Sequence, residues 1–424
     1  MNLDLLSGLR VVESSAFIAA PLAGLTLAQA GADVIRIDLI GGGIDYARMP
    51  VMPGGRSLYW TGLNKGKRSL AVDIRSGEGR ELVQALVTAP GAGAGVLLTN
   101  IGVPWLAHQL LAQQRVDLIS CTIEGSSDGS NAVDYTVNCA TGFPAITGGG
   151  SAERPVNHVL PAWDLACAQQ AAFAIAAAAM RRQSSGVGAE LRIALSDVAF
   201  STLSHLGMLT EAELLQQERP SIGNDLYGAF GRDFATADGR RIFVAAISIG
   251  QWRSLVRACG LQAGVHALEQ QRGVDLSREE QRYAARDAIA QLVEPWFAAR
   301  SFEQAQRELD QHGACWGPYR TVREALAQDP RLGAANPVFE TIHTAGVGEH
   351  RAAGSVVRER GRPRGPMRAA PLLGEHTDQI LLEVLGLDSA AVGRLHDRGI
   401  VAGPDSDPLA PAARTAARAT AAAS

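Results

Sequence analysis

The chain has 424 residues, too many for one compact core, so two domains are the default expectation. Its 46% hydrophobic and 19% charged residues describe a soluble globular protein, and a net charge of −4 argues against broad nucleic-acid binding. Five dispersed cysteines without CxxC spacing (Cys121, Cys139, Cys167, Cys259 and Cys315) exclude a zinc knuckle or disulfide framework and suggest a reduced, cytoplasmic setting.

In chain order, residues 9–13 read as a strand and 21–30 as a helix opened by Pro21 and closed by Gly31. The apolar stretch 16–32 resembles a signal-peptide core. No net positive charge precedes it, however, Pro21 interrupts it, and Glu13 and Asp33 flank it. Residues 33–38, 68–74, 95–100 and 116–123 read as further strands, with a helix at 78–88 after Ser76. Strands separated by helical patterns predict an α/β fold, its parallel sheet covered on both faces. An alanine-rich helix at 164–182 follows, too short and weakly apolar at 171–179 to span a membrane. A strand at 192–195 and a long helix to about residue 217 complete the N-terminal part of a large domain, 1–217.

Residues 218–229 form a polar linker. A smaller α+β domain is predicted over 230–328, with a hairpin at 230–247 turned at Asp238-Gly239 and helices near 250–259, 277–299 and 301–312. Residues 329–403, with a helix at 375–385, return to the large domain. Residues 404–424 lack apolar periodicity and read as a disordered tail.

Asp164 opens the alanine-rich helix. A carboxylate in a first helical turn is held ionised by the helix dipole, and an oriented carboxylate is a potential nucleophile. Spacing alone equally allows a simple helix cap. The first strand–helix unit, ending in Asp38, resembles a dinucleotide-binding unit. Its loop, residues 14–21, has no glycine to admit a pyrophosphate, and the triple glycine 41–43 follows the second strand instead. No G-x-S-x-G elbow or H-E-x-x-H motif occurs. His158, six residues before Asp164, is more simply a structural histidine than a catalytic one. The cluster Lys65, Lys67 and Arg68 reads as a solvated loop that could take phosphates.

The segments LSGLRVVE (6–13), AAPLAGLTLAQAGADVIRID (19–38), NKGKRSLAVDIR (64–75), GVGAELRIALSD (186–197), DLYGAFGRDFATADG (225–239) and PLLGEHTDQIL (371–381), with the Asp164 segment between them, resemble the family III CoA-transferases (CaiB/BaiF type) over residues 5–400. The resemblance implies a Rossmann-like large domain with a small domain, two chains interlocking as a homodimer, and an acyl-CoA substrate with no cofactor or metal beyond its CoA. It implies Asp164 as the nucleophile, and CoA contacts at Val72, Arg75, Asn100 and Ile101. Members acting on formyl-CoA have histidine and glutamine where this chain has Ala16 and Ile18, and a glycine-rich lid where it reads ISIGQW (247–252), so an oxalate-type substrate is not expected. The family's racemases need a histidine where Val133 stands. GGGIDYARMP (41–50), VDYTVN (133–138), VNHVLPAWD (156–164) and WGPYRTVREAL (316–326) resemble members that shift CoA between the two carboxyls of one C5 unsaturated diacid. Transfer to a separate free acid is the alternative. Arg48, Tyr46 and His158 are candidates for holding the distal carboxylate.

Overall fold

In the computed structural model, which describes residues 3–149, 153–362 and 364–409, the N-terminal half builds a seven-stranded sheet. Its strands are β1 (Arg10–Ser14), β2 (Asp33–Leu39), β3 (Arg68–Val72), β4 (Val96–Thr99), β5 (Ile119–Glu124) and β6 (Ala189–Ala194), with Val401–Ala402 at one edge. From that edge the order is β3, β2, β1, β4, β5, β6, all parallel; Val401–Ala402 runs antiparallel against β3. The order reverses between β1 and β4. Sheets of this kind bind ligands at such a switch point, here the ends Ser14 and Thr99.

Alternation along the strands sorts the residues by face. Val12, Ile35, Ile37, Leu70 and Val72 pack into one core cluster with residues of Gly77–Thr88 and the C-terminal helices Thr377–Glu383 and Ser389–Asp397. Glu13, Arg36, Asp38 and Ser69 alternate with them and are also buried. Ser76 caps the helix Gly77–Thr88 by accepting from Gly79 N at 2.9 Å, at the boundary its sequence marks.

The chain divides into two compact units: Met1–Ala140, Leu160–Leu209 and Gly333–Ser424 form the first, Thr141–Val159 and Thr210–Leu332 the second. The second unit takes in more than the expected 230–328: residues 141–159, 210–217 and 329–332, expected in the large domain, and the expected linker 218–229 all group with it. Residues 141–159 group with the second unit because Gly148 O accepts from Gly223 N (2.6 Å) and Ser221 Oγ (2.5 Å), tying them to the predicted linker. The helix expected to run unbroken to residue 217 is two, Leu195–His205 and Met208–Leu215. Gly207 between them has φ +71°, a left-handed conformation that ends a helix.

In the second unit Phe230–Ala235 and Arg241–Ala246 form the predicted hairpin. A third strand, Cys315–Pro318, adds to it; four residues containing Gly317 and Pro318 carried no strand signal. The helix expected at 277–299 is split into Glu279–Ala284 and Arg286–Ala298. The unit has its own core, in which Phe234 stacks on Phe297 at 5.0 Å.

Of the predicted disordered tail, 410–424 lies outside the described residues, but 404–409 is a built part of the first unit. Asp407 is fully buried, accepts from Tyr46 OH (2.7 Å), Leu373 N (3.0 Å) and Leu409 N (2.8 Å), and pairs with Arg56 at 3.3 Å. Alanine and proline around it conceal one anchoring aspartate. Among the described residues no helix is long and apolar enough to cross a membrane.

Candidate active site

The helix carrying Asp164 spans Ala162–Ser185, from Pro161 at its start to Gly186, at φ +69°, at its end. Alanine dominates the sequence and needs no partner to be helical. Asp164 sits in the first turn, but it does not cap the helix. Asp134 does, from another helix, Asp134–Ala140: its Oδ2 accepts from Trp163 N (2.7 Å) and Asp164 N (3.0 Å). Trp163, buried, donates its indole N–H to Asn138 of the same helix at 3.2 Å. The two ties fix where Asp164 emerges.

The Asp164 carboxylate is half-buried and makes no hydrogen bond or ion pair among the described residues. Burial, and then the neighbouring Asp134 charge, push it up to about 6, while Arg48 draws it down. A nucleophilic carboxylate works ionised, so kcat/KM should rise with pH to a plateau above about 6. Asp134→Asn retains an acceptor but removes a like charge, so the acid limb of that profile should move to lower pH. An unmoved limb would mean that Asp134 does not act on Asp164.

The loop after β1 is latched rather than open. Asn100, following β4, donates its amide to Ala16 O (2.8 Å) and accepts from Ala16 N (3.0 Å). Phe17 N donates to Asp45 (2.9 Å), and Phe17 is held at φ +66°, unusual for a residue with a side chain. Beneath the loop lies a buried charge network. Arg36 binds Glu13 (3.1 Å), Asp38 (2.8 Å) and Ser15 O (3.1 Å), while Lys67 binds Glu13 at 2.8 Å. Gly24, on the helix Ala19–Gln29, is required here because a Cβ would lie 1.7 Å from the Glu13 carboxylate. Asp38, the acid expected of a ribose site, is spent on Arg36 and on Ser69 Oγ (2.6 Å).

The basic cluster is equally committed, against the phosphate-binding expectation. Lys67 is buried on Glu13, Arg68 pairs with Asp33 (2.6 Å), and Lys65 donates to Gly62 O (2.6 Å). These cations stabilise the fold beneath the site.

Of the expected CoA contacts, Asn100 and Ile101 line a polar cleft of about 610 Å³ over the ends of β4 and β5, with Asn100's amide already used on Ala16. Val72 is fully buried in the core, so only its main chain is left to face a ligand. Arg75 is exposed and pairs with Asp73 at 2.8 Å. Tyr46 is not a substrate ligand: it is buried, its hydroxyl bound to Asp407 and its ring edge-on to Trp60 at 5.0 Å. His158 belongs to the second unit. Arg48 and Tyr59, the latter missed in the sequence, share a stacked arrangement in the Asp164 unit, with Arg48 5.2 Å from the Tyr59 ring. Val133, exposed before the Asp134 helix, carries no transferable proton. Among the described residues no group of three or more His, Cys, Asp and Glu is placed to hold a metal ion.

A family model described as CoA-transferase family III matches residues 6–377. A 2-methylfumaryl-CoA isomerase of Chloroflexus aurantiacus is 51% identical over 403 residues, covering 95% of this chain and 98% of that protein. A formyl-CoA:oxalate CoA-transferase of Rhodopseudomonas palustris is 26% identical, covering 94% and 98%. A CaiB/BaiF family crystal structure from Brucella suis superposes with a TM-score of 0.74 at 24% identity, covering 91% of this chain and all of that one, which shows the shared fold.

Proposed function

This chain belongs to CoA-transferase family III, and from that premise we propose that it is a 2-methylfumaryl-CoA isomerase, an intramolecular CoA transferase moving CoA from the C1 to the C4 carboxyl of mesaconyl-CoA. Within the site, the observation that carries the reading is Asp164: a half-buried carboxylate whose backbone N–H is held by Asp134 and which has no hydrogen bond or ion pair among the described residues.

The chemistry follows from that carboxylate. Asp164 attacks the C1 thioester carbonyl, the C–S bond breaks, and CoA leaves as a thiolate, giving a mixed anhydride. The thiolate attacks the Asp164 carbonyl and breaks its C–O bond to the diacid. The diacid is freed as a carboxylate, and CoA remains as an aspartyl thioester. The C4 carboxylate then attacks that carbonyl, expelling the thiolate and forming the second anhydride. The thiolate attacks C4, and Asp164 leaves as a carboxylate. No proton moves, so no general base is needed, which agrees with Val133 where a racemase would carry one. Serine or cysteine would trap the acyl group as a stable ester or thioester. A carboxylate returns an anhydride close in energy to the starting thioester.

The test adds labelled free mesaconate during conversion of unlabelled mesaconyl-C1-CoA. Formation of the C4 isomer without label is expected. Label in the product would mean exchange with external acids, and no second isomer would overturn the reading. Two copies of the chain are proposed to act together. Phe173 and Met180, on the Asp164 helix, are 69% and 72% exposed and border an apolar groove of about 690 Å³. A sedimentation mass near 44.6 kDa, that of one chain, would contradict this.

A further inference from the structure

Arg48 is a cation without an acid. Its guanidinium lies 5.3 Å from the centre of the Phe17 ring and 5.2 Å from that of Tyr59, and it makes no ion pair or side-chain hydrogen bond among the described residues. Stacking on two rings suits the planar, weakly hydrated guanidinium and leaves its N–H edge free to donate. The Tyr59 hydroxyl is closed off from solvent and has no hydrogen-bond partner among the described residues. A buried hydroxyl with nothing to bind calls for an explanation.

The surroundings hold both groups in place. Ser57 caps the helix Leu58–Leu63 by accepting from Trp60 N (3.0 Å) and donates to Arg48 O (2.5 Å), so one side chain fastens Arg48 to the helix that carries Tyr59. Asp45 accepts from Phe17 N with its side chain (2.9 Å) and from Arg48 N with its main chain (3.1 Å). Phe17 is thereby fixed in its strained backbone conformation. Such strain persists where the surroundings over-determine it, and it gathers at binding sites. Three stretches of chain thus converge on one unpaired cation and one unpaired hydroxyl.

Resting on the transferase reading, we infer that Arg48 and the Tyr59 hydroxyl receive the free carboxylate of the substrate. The Arg48 guanidinium only donates, the Tyr59 hydroxyl has a proton to donate, and a carboxylate accepts from both; an apolar acyl end would leave both unmet. Arg48 also acts electrostatically on Asp164, so receptor and nucleophile serve one site. With Asp164 fixed, CoA reaches C4 only if the diacid turns end for end while CoA waits on the enzyme. The C4 carboxylate occupies the receptor before the turn, and the C1 carboxylate after it. A single receptor therefore retains the diacid between half-reactions, which keeps the freed acid available as its own acceptor. No bond is made or broken at Arg48 or Tyr59.

Arg48→Gln and Tyr59→Phe test this against two substrates: mesaconyl-C1-CoA, and crotonyl-CoA, which lacks the second carboxylate. The readout is the hydroxylamine-sensitive enzyme-bound thioester formed at limiting substrate. Arg48→Gln should lower capture from the diacid thioester about tenfold or more beyond its effect on crotonyl-CoA, since a charge-assisted hydrogen bond is lost only with the former. Tyr59→Phe should act in the same direction by a smaller factor. Equal losses on the two thioesters, or undiminished capture from the diacid thioester, would overturn the inference. Capture is measured before any second regioisomer forms. A wild-type protein that captures CoA but never yields the C4 isomer would therefore overturn the isomerase reading alone, while the ratio still decides the receptor.

Discussion

Replacing Asp164 by asparagine is expected to abolish isomerisation while leaving the fold at least as stable as before. The amide cannot form the anhydride or return CoA as a thioester, so kcat should fall by about 10⁴-fold or more, roughly 5 kcal/mol of barrier. Asp164→Ala should match it, which guards against slow deamidation restoring the acid. The stability half follows from the same environment. Burial and Asp134 raise Asp164 from 3.8 to about 6, so the folded state holds its proton more tightly than the unfolded chain. Its contribution to stability is therefore full below about 4 and is lost as pH rises through about 6. At pH 7 asparagine removes a buried charge facing Asp134, and Tm should be unchanged or higher. At pH 4 that advantage should shrink. Retained turnover would remove Asp164 from the chemistry, and a large drop in Tm would make it a structural residue.

Local signals carried much of the fold and less of the site. The β-branched runs marked β1 to β5 within a few residues, and Ser76 announced its helix, because strands and caps are written in adjacent residues. Asp164 was visible as a first-turn carboxylate. Its cap was not, since Asp134 reaches it across thirty positions and no spacing rule connects the two. The same holds for Asn100 on Ala16 and for Tyr59, whose unmet hydroxyl is a property of its surroundings. Lys65, Lys67 and Arg68 misled in the opposite sense. Charged residues in a glycine-containing loop read as solvated, yet Lys67 is buried on Glu13 because Gly24 leaves room for that carboxylate. Tyr46 reads as a candidate substrate ligand because it is polar near predicted strand ends; its partner, Asp407, lies in a segment whose composition suggests disorder.

Asp407→Ala should strongly destabilise the first unit. Asp407 is fully buried and Arg56 nearly so, with Arg56 over the Trp60 ring at 4.9 Å. Removing the carboxylate leaves a buried cation without its counter-charge, and breaking such a pair typically costs about 3–5 kcal/mol. The Tyr46 hydroxyl and the Leu373 and Leu409 N–H groups lose their acceptor as well. Asp407→Asn keeps the shape and one acceptor, so its cost should be smaller; the difference between the two variants reports the charge. Urea unfolding that shifts in midpoint with an unchanged slope would measure it. The loss should also reach the site. Tyr46 and Arg56 bracket the segment that presents Arg48, and Ser57, next to Arg56, holds the Arg48 carbonyl. At temperatures where Asp407→Ala remains folded, KM for the diacid thioester should therefore rise while the pH at which Asp164 ionises moves little. A variant with lowered stability and an unchanged KM would show that the C-terminal anchor supports the fold without shaping the pocket.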